Sequence, residues 1–178
     1  KNEAMRAGIP SCLQRGITRF EFAAAASVIA VLAGVLLERL LYVEEYAEMT
    51  AMELTVANMR TGLRNQMGDL LIRDKVSEIG TLADENPIAW LESTPNNYLG
   101  EFDATPDQDT RGMWFYDRQR HEIVYTANNR RHLSPYTDGD YSIRLRVVRL
   151  PVPEGETQDA PRTHQWVALV RTTNGKWF

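Results

Sequence analysis

Between Phe22 and Leu37 the chain carries no ionised side chain, and no other feature limits its fold as much. The run reads FAAAASVIAVLAGVLL. It opens on Glu21 and ends against Glu38 and Arg39, after which Leu40–Val43 add a short apolar continuation. A bilayer-spanning helix takes roughly 20 residues, so the 16 residues of the run are short on their own. Counting from Ile17 to Val43 supplies the length but encloses Arg19, Glu21, Glu38 and Arg39. Long side chains near the ends can reach back to the interface; Glu21 is the acid hardest to place in hydrocarbon. The sequence therefore predicts a hydrophobic transmembrane helix over 17–43. Arg15 and Arg19 border it, and basic residues on that side favour a cytoplasmic N-terminus. The C-terminal bulk is then expected on the far side of the membrane.

Two other uses of such a run fit less well. A cleaved secretory signal ends in a small-x-small site, whereas Leu36-Leu37-Glu38-Arg39-Leu40-Leu41 follows this core and helical character continues beyond it. Ile9-Pro10-Ser11-Cys12 has the outline of a lipid-acylation box, but no hydrophobic region precedes it. Cys12 is the single cysteine, so no intrachain disulfide is expected. Beyond Gly16 the chain holds 17 Lys and Arg against 23 Asp and Glu, a net charge of −6. Nucleic-acid binding requires basic stripes that neutralise phosphates, and no nucleic-acid partner is expected.

From Glu44 to about residue 80 the sequence predicts one amphipathic continuation of the helix. Met49, Met52, Val56, Met59, Leu63, Met67 and Leu70 fall three or four apart and form one stripe. Either the stripe covers the protein's own sheet, or it is a promiscuous methionine-rich binding face. No proline lies between Pro10 and Pro87; Gly62 and Gly68 are expected to weaken or bend the helix. Thr81–Asp109 reads as a connector, with Asn86-Pro87 suited to open a short helix. The last third reads as β. GMWFYD (112–117) and EIVYT (122–126) flank a hairpin turn at Arg118–His121. YSIRLRVVRL (141–150) alternates, with Ile143, Leu145 and Val147 inward and Arg144 and Arg146 outward; QWVALVRT (165–172) is a further strand. The expected fold is α+β. A long N-terminal helix, hydrophobic in its first half and amphipathic in its second, packs on a small C-terminal antiparallel sheet of four strands within 81–178.

Motifs for chemistry are scarce. There is no HExxH, no CxxC, no glycine-rich phosphate loop and no nucleophile–histidine–acid pattern, so no enzymatic activity is expected. His121, His132 and His164 fall in or beside turns. Asp107-Gln108-Asp109 and Asp138-Gly139-Asp140 are loop pairs of hard oxygen ligands. Solvated turn acids explain them, and Asp138 and Asp140 are the candidates should calcium bind. Arg144, Arg146 and Arg149, with Arg130 and Arg131, form either a basic patch or charged edge positions that discourage strand pairing.

Gly16-Ile17-Thr18-Arg19-Phe20-Glu21, followed by the apolar helix, resembles the cleavage and methylation motif of type IV pilins and type II secretion pseudopilins. The motif covers six residues. The order of basic leader, apolar helix, amphipathic continuation and β domain is similar to that family over the whole chain. The resemblance implies a leader at 1–16, cleavage after Gly16 by a prepilin peptidase, methylation of the new Ile17 amine, and an assembly role for Glu21. Ile17 and Glu21 stand four apart, on one helical face. In a filament the amine of one subunit would meet Glu21 of its neighbour and fix the axial register. Ile17 replaces the family's usual aromatic residue, and Arg19 interrupts the apolar pair before the acid, which suits a specialised subunit. The absence of cysteine beyond Cys12 suits a pseudopilin, some of which use calcium where major pilins use a disulfide.

The resemblance thus implies a structural subunit held in the inner membrane, its C-terminal domain periplasmic, later assembled into a pilus or pseudopilus. Its partners would be membrane lipid, the peptidase, an inner-membrane assembly platform, and like or related subunits. The alternative reading is an uncleaved, single-pass membrane-anchored periplasmic binding or sensor domain, in which Gly16 is incidental and Glu21 is a border charge.

Overall fold

The computed structural model describes residues 18–135, 139–150, 166–173 and 177. One helix, α1, runs from Arg19 to Ile72 and passes through two compact units, residues 1–42 and residues 43–178. In the first unit every residue from Thr18 to Leu40 is exposed. Phe22, Val28, Ile29, Val31, Leu32, Val35, Leu36 and Leu37 point in all directions around the helix axis, so this half has no polar face. It is long and apolar enough to cross a membrane, and none of its most apolar window is buried. That is compatible with a single-pass anchor.

In the second unit α1 becomes one-sided. Met52, Val56, Met59 and Leu63 are buried, with Met49, Met67 and Leu70 packed beside them. The stripe faces the protein's own sheet, against Trp114, Tyr116, Ile123, Tyr125, Ile143, Leu145, Val147 and Leu169. The methionine stripe is thus a core element. Gly62 lies where the helix meets the segment around Trp90. It admits the Trp90 segment, since a Cβ there would stand 2.8 Å from the Trp90 carbonyl oxygen and 2.9 Å from its Cβ. Around Gly68 a Cβ would meet nothing within 4 Å.

α1 stops at Ile72, short of the expected end near residue 80. Asp74 takes a left-handed conformation (φ 59°), its N–H donates to Leu71 O (3.2 Å), and Lys75 N–H donates to Leu70 O (2.8 Å). These paired bonds close the last carbonyls in a Schellman arrangement, with aspartate in the place glycine usually takes. The chain then forms a 3₁₀ helix over Val76–Asp84. Its apolar residues Val76, Ile79 and Leu82 recur every third position, the period of a 3₁₀ helix and not of an α-helix. The Asn86-Pro87 signal holds. The Asn86 side chain accepts from Ile88 N (3.0 Å) and Pro87 opens a short 3₁₀ turn to Trp90.

The sheet has five strands in sequence order, β1 Tyr98–Phe102, β2 Met113–Asp117, β3 Glu122–Thr126, β4 Ser142–Arg149 and β5 Val167–Arg171. β2 through β5 pair antiparallel, with Ile123 opposite Leu145 and Leu145 opposite Arg171. β1 was not expected. It adds a parallel edge to β2, with a register shift between Tyr98 and Glu101 and Gly100 at φ 115°. Trp114 and Tyr125 face each other across β2 and β3, their rings 4.8 Å apart, and form the centre of the face beneath α1.

The arginines of β4 behave differently from expectation. Ile143, Leu145 and Val147 do point into the core. Arg144, however, sits on an interior strand with only 12% of its side chain exposed, so edge protection does not explain it. It lies between Glu122 (3.8 Å) and Asp140 (3.4 Å), and Arg146 Nη2 donates to Glu122 Oε1 (3.0 Å). Arg149 donates to Gly80 O and to Asp84. Arg130 lies over the Tyr141 ring at 5.0 Å. These cations are taken up by acids, carbonyls and a ring of the same domain and do not form a free basic patch.

Candidate functional site

Two glutamates on α1 carry the candidate chemistry, one in each compact unit. The first is Glu21. Its N–H donates to Thr18 Oγ1 (3.2 Å), and its carboxylate accepts from Thr18 N (2.9 Å) and Thr18 Oγ1 (3.0 Å). This reciprocal pair is a capping box, in which a Thr at the N-cap and a Glu three residues on satisfy each other's free N–H groups. Glu21 also contributes negative charge to the first turn, where the helix dipole favours it. The signal Thr-x-x-Glu stands in the sequence as Thr18-Arg19-Phe20-Glu21. Gly16 and Ile17 lie outside the described residues.

The second is Glu45, which sequence reasoning missed. It is 1% exposed. One oxygen accepts from His132 N (2.9 Å) and from the Trp177 indole (3.1 Å), and the other lies 2.8 Å from His132 Nδ1. An ionised carboxylate only accepts, so Nδ1 carries the proton of that bond. Burial pushes the Glu45 carboxyl up, but the His132 N–H and ring bonds and the Trp177 bond outweigh it and hold it below the ordinary glutamate value of 4.5. One turn on, Glu48 accepts from Asn128 N (2.6 Å), Tyr125 Oη (2.8 Å) and Asn129 N (2.9 Å). Burial, and then the hydrogen bond to Glu48 and its charge, push the Tyr125 hydroxyl well up. The available signal was phase. Glu45 continues the stripe of Met49, Met52, Val56 and Met59 backwards by four residues, so an acid was due to face the core.

The other candidate residues are dispersed. Asp140 accepts from Ser142 N (2.9 Å) and pairs with Arg144, while Asp138 lies outside the described residues. Asp109 is bound by Arg111, whose side-chain and backbone donors lower its carboxyl to about 2. His121 Nδ1 sits 3.3 Å from both Tyr116 Oη and Asp84 O, His132 serves Glu45, and His164 lies outside the described residues. Among the described residues no three His, Cys, Asp or Glu gather as a metal would require. No family model, no curated protein and no solved structure matches the chain.

Proposed function

We propose that the chain is a pilin-like or pseudopilin subunit, held in the inner membrane by the first half of α1 and then assembled into a pilus or pseudopilus. One observation carries this reading: α1 holds Glu21 in its first turn and runs to Leu40 without burying a residue. An α-helix apolar on every side belongs in lipid or among other helices. Lipid serves while the subunit is stored, and the corresponding helices of neighbours serve in a filament. The same helix continues in sequence into the stripe that seats the β domain. The subunit performs no reaction of its own. Its partners are the prepilin peptidase, the assembly platform and other subunits.

The experiment is the intact mass of the protein from cells with and without prepilin peptidase. Loss of residues 1–16 with one added methyl group, in the first strain only, is the expected result. The same uncut chain in both strains refutes it.

The capping box favours a second reading, an uncleaved single-pass anchor for a periplasmic binding or sensor domain. Thr18 and Glu21 satisfy each other within one turn, so Glu21 has a purpose in starting the helix without any neighbouring subunit. The uncut mass is what this reading expects.

A further inference from the structure

The segment from Ala127 to Leu133 is a strap laid on α1, and two carboxylates one turn apart hold it there. Asn128 N and Asn129 N donate to Glu48, His132 N and its ring donate to Glu45, and Trp177 reaches Glu45 from the end of the chain. Tyr125 of β3 adds its hydroxyl to Glu48. Four of the six, the backbone N–H groups of Asn128, Asn129 and His132 and the Trp177 indole, can only donate, and a carboxylate that takes up a proton has one acceptor site fewer to offer them. The other charged groups do not stand in for it. Arg130 is committed to the Tyr141 ring and to Ala127 O, Arg131 is exposed, and Glu44 on α1 is exposed and acidic. Lys176 lies outside the described residues. Apart from Leu133 and Ala127, the strap residues are half-buried or exposed, so little apolar burial holds it in place.

We propose that Glu45 and Glu48 together latch the strap and Trp177 onto α1 at neutral pH, and that in acid, as Glu45 takes up its proton, the strap and Trp177 are released while the rest of the domain stays folded. The sign follows from linkage. Glu45 is held below its ordinary value of 4.5, so its contribution is whole above that pH and is lost as pH falls through the lowered value. The latch concerns the domain alone and stands under either reading of the anchor.

The test uses the full chain in detergent micelles, labelled with 5-fluorotryptophan and followed by fluorine NMR from pH 7 to pH 3. Tryptophan-to-phenylalanine variants assign the signals. The Trp177 signal is expected to move to the free-tryptophan position at a pH where Trp114, which is 1% exposed in the core, has not moved. If Trp177 stays put, or moves only together with Trp114, there is no latch. Glu45→Gln is expected to place Trp177 at its released position already at pH 7. It should also speed tryptic cleavage after Arg130 or Arg131 roughly tenfold at pH 7.5, as the loss of one charged hydrogen bond would. An unchanged rate overturns the proposal. Where Glu45→Gln also displaces Trp114, Glu48→Gln carries the test: it is expected to accelerate the same cleavage with Trp114 in place, and no acceleration counts against the latch.

Discussion

From Thr18 to Leu40 the chain buries nothing, whereas from Glu45 to Leu63 α1 buries Glu45, Met52, Val56, Met59, Gly62 and Leu63. Both halves are helical without a break, so helix formation is not what separates them. The difference lies in where the cover comes from. The second half is covered by the chain's own sheet, and its polar face is correspondingly charged. The first half has no polar face, and among the described residues nothing covers it. A helix apolar on every side is of the kind that crosses a membrane or lies in a large core, while a one-sided helix covers one face of a domain.

The comparison yields paired substitutions with opposite readouts. The largest effect is expected from Met59→Ala, which empties a site of 0% exposure at the centre of the core. The domain should lose about 2–5 kcal/mol, read as a fall in its calorimetric Tm, with membrane retention unchanged. Leu32→Arg should do the reverse. A cation at the middle of a spanning helix costs about 3 kcal/mol in insertion, so the fraction resisting alkaline extraction should fall while the domain Tm stays where it was. If Leu32→Arg lowers that Tm, or Met59→Ala releases the protein from membranes, the two halves are not independent in the way their burial implies.

The two glycines sharpen the same contrast within the covered half. Gly62→Ala sets a methyl group against backbone at Trp90, and the strain should cost about 1–3 kcal/mol in urea unfolding. Gly68→Ala meets open space and should gain up to about 1 kcal/mol from helix propensity. Equal effects from the two changes would remove the distinction between a glycine that admits a neighbour and one that does not.

What was legible in the sequence was what repeats. The methionine stripe, the alternation of β4 and the hairpin of β2 and β3 each span several periods, and each is found where its pattern places it. Single events were harder to read. Asp74 ends α1 in a conformation more typical of glycine, so its residue type gave no warning. β1 is only five residues long, with Gly100 at its middle and a register shift, and shows no clean alternation. Arg144 looked solvated because charge usually is, yet Glu122 on the paired strand β3 and Asp140 just before β4 allow it to sit at 12% exposure. Glu45 is the clearest loss. Its residue type points to solvent, although its position, four residues before Met49, puts it in phase with the buried stripe.

The smallest expected effect on stability is the most informative about Glu21. Its capping box works with glutamine as well as glutamate, because either side chain can accept from the N-cap N–H. Glu21→Gln therefore keeps the helix start and removes only the charge. Thr18→Ala does the opposite, removing the hydroxyl that Glu21 N–H donates to and keeping the carboxylate. Thr18→Ala should cost the first turn about 1 kcal/mol, visible as faster amide exchange at Phe20 and Glu21, and should leave filament formation intact. Glu21→Gln should leave amide exchange unchanged and, if the chain is the filament subunit proposed above, abolish filaments, because a neighbour's Ile17 amine would find no charge to pair with. Should Glu21→Gln assemble normally, the acid is a cap and nothing more. The first half of α1 would then be read as an anchor, and its unburied surface would belong to lipid alone.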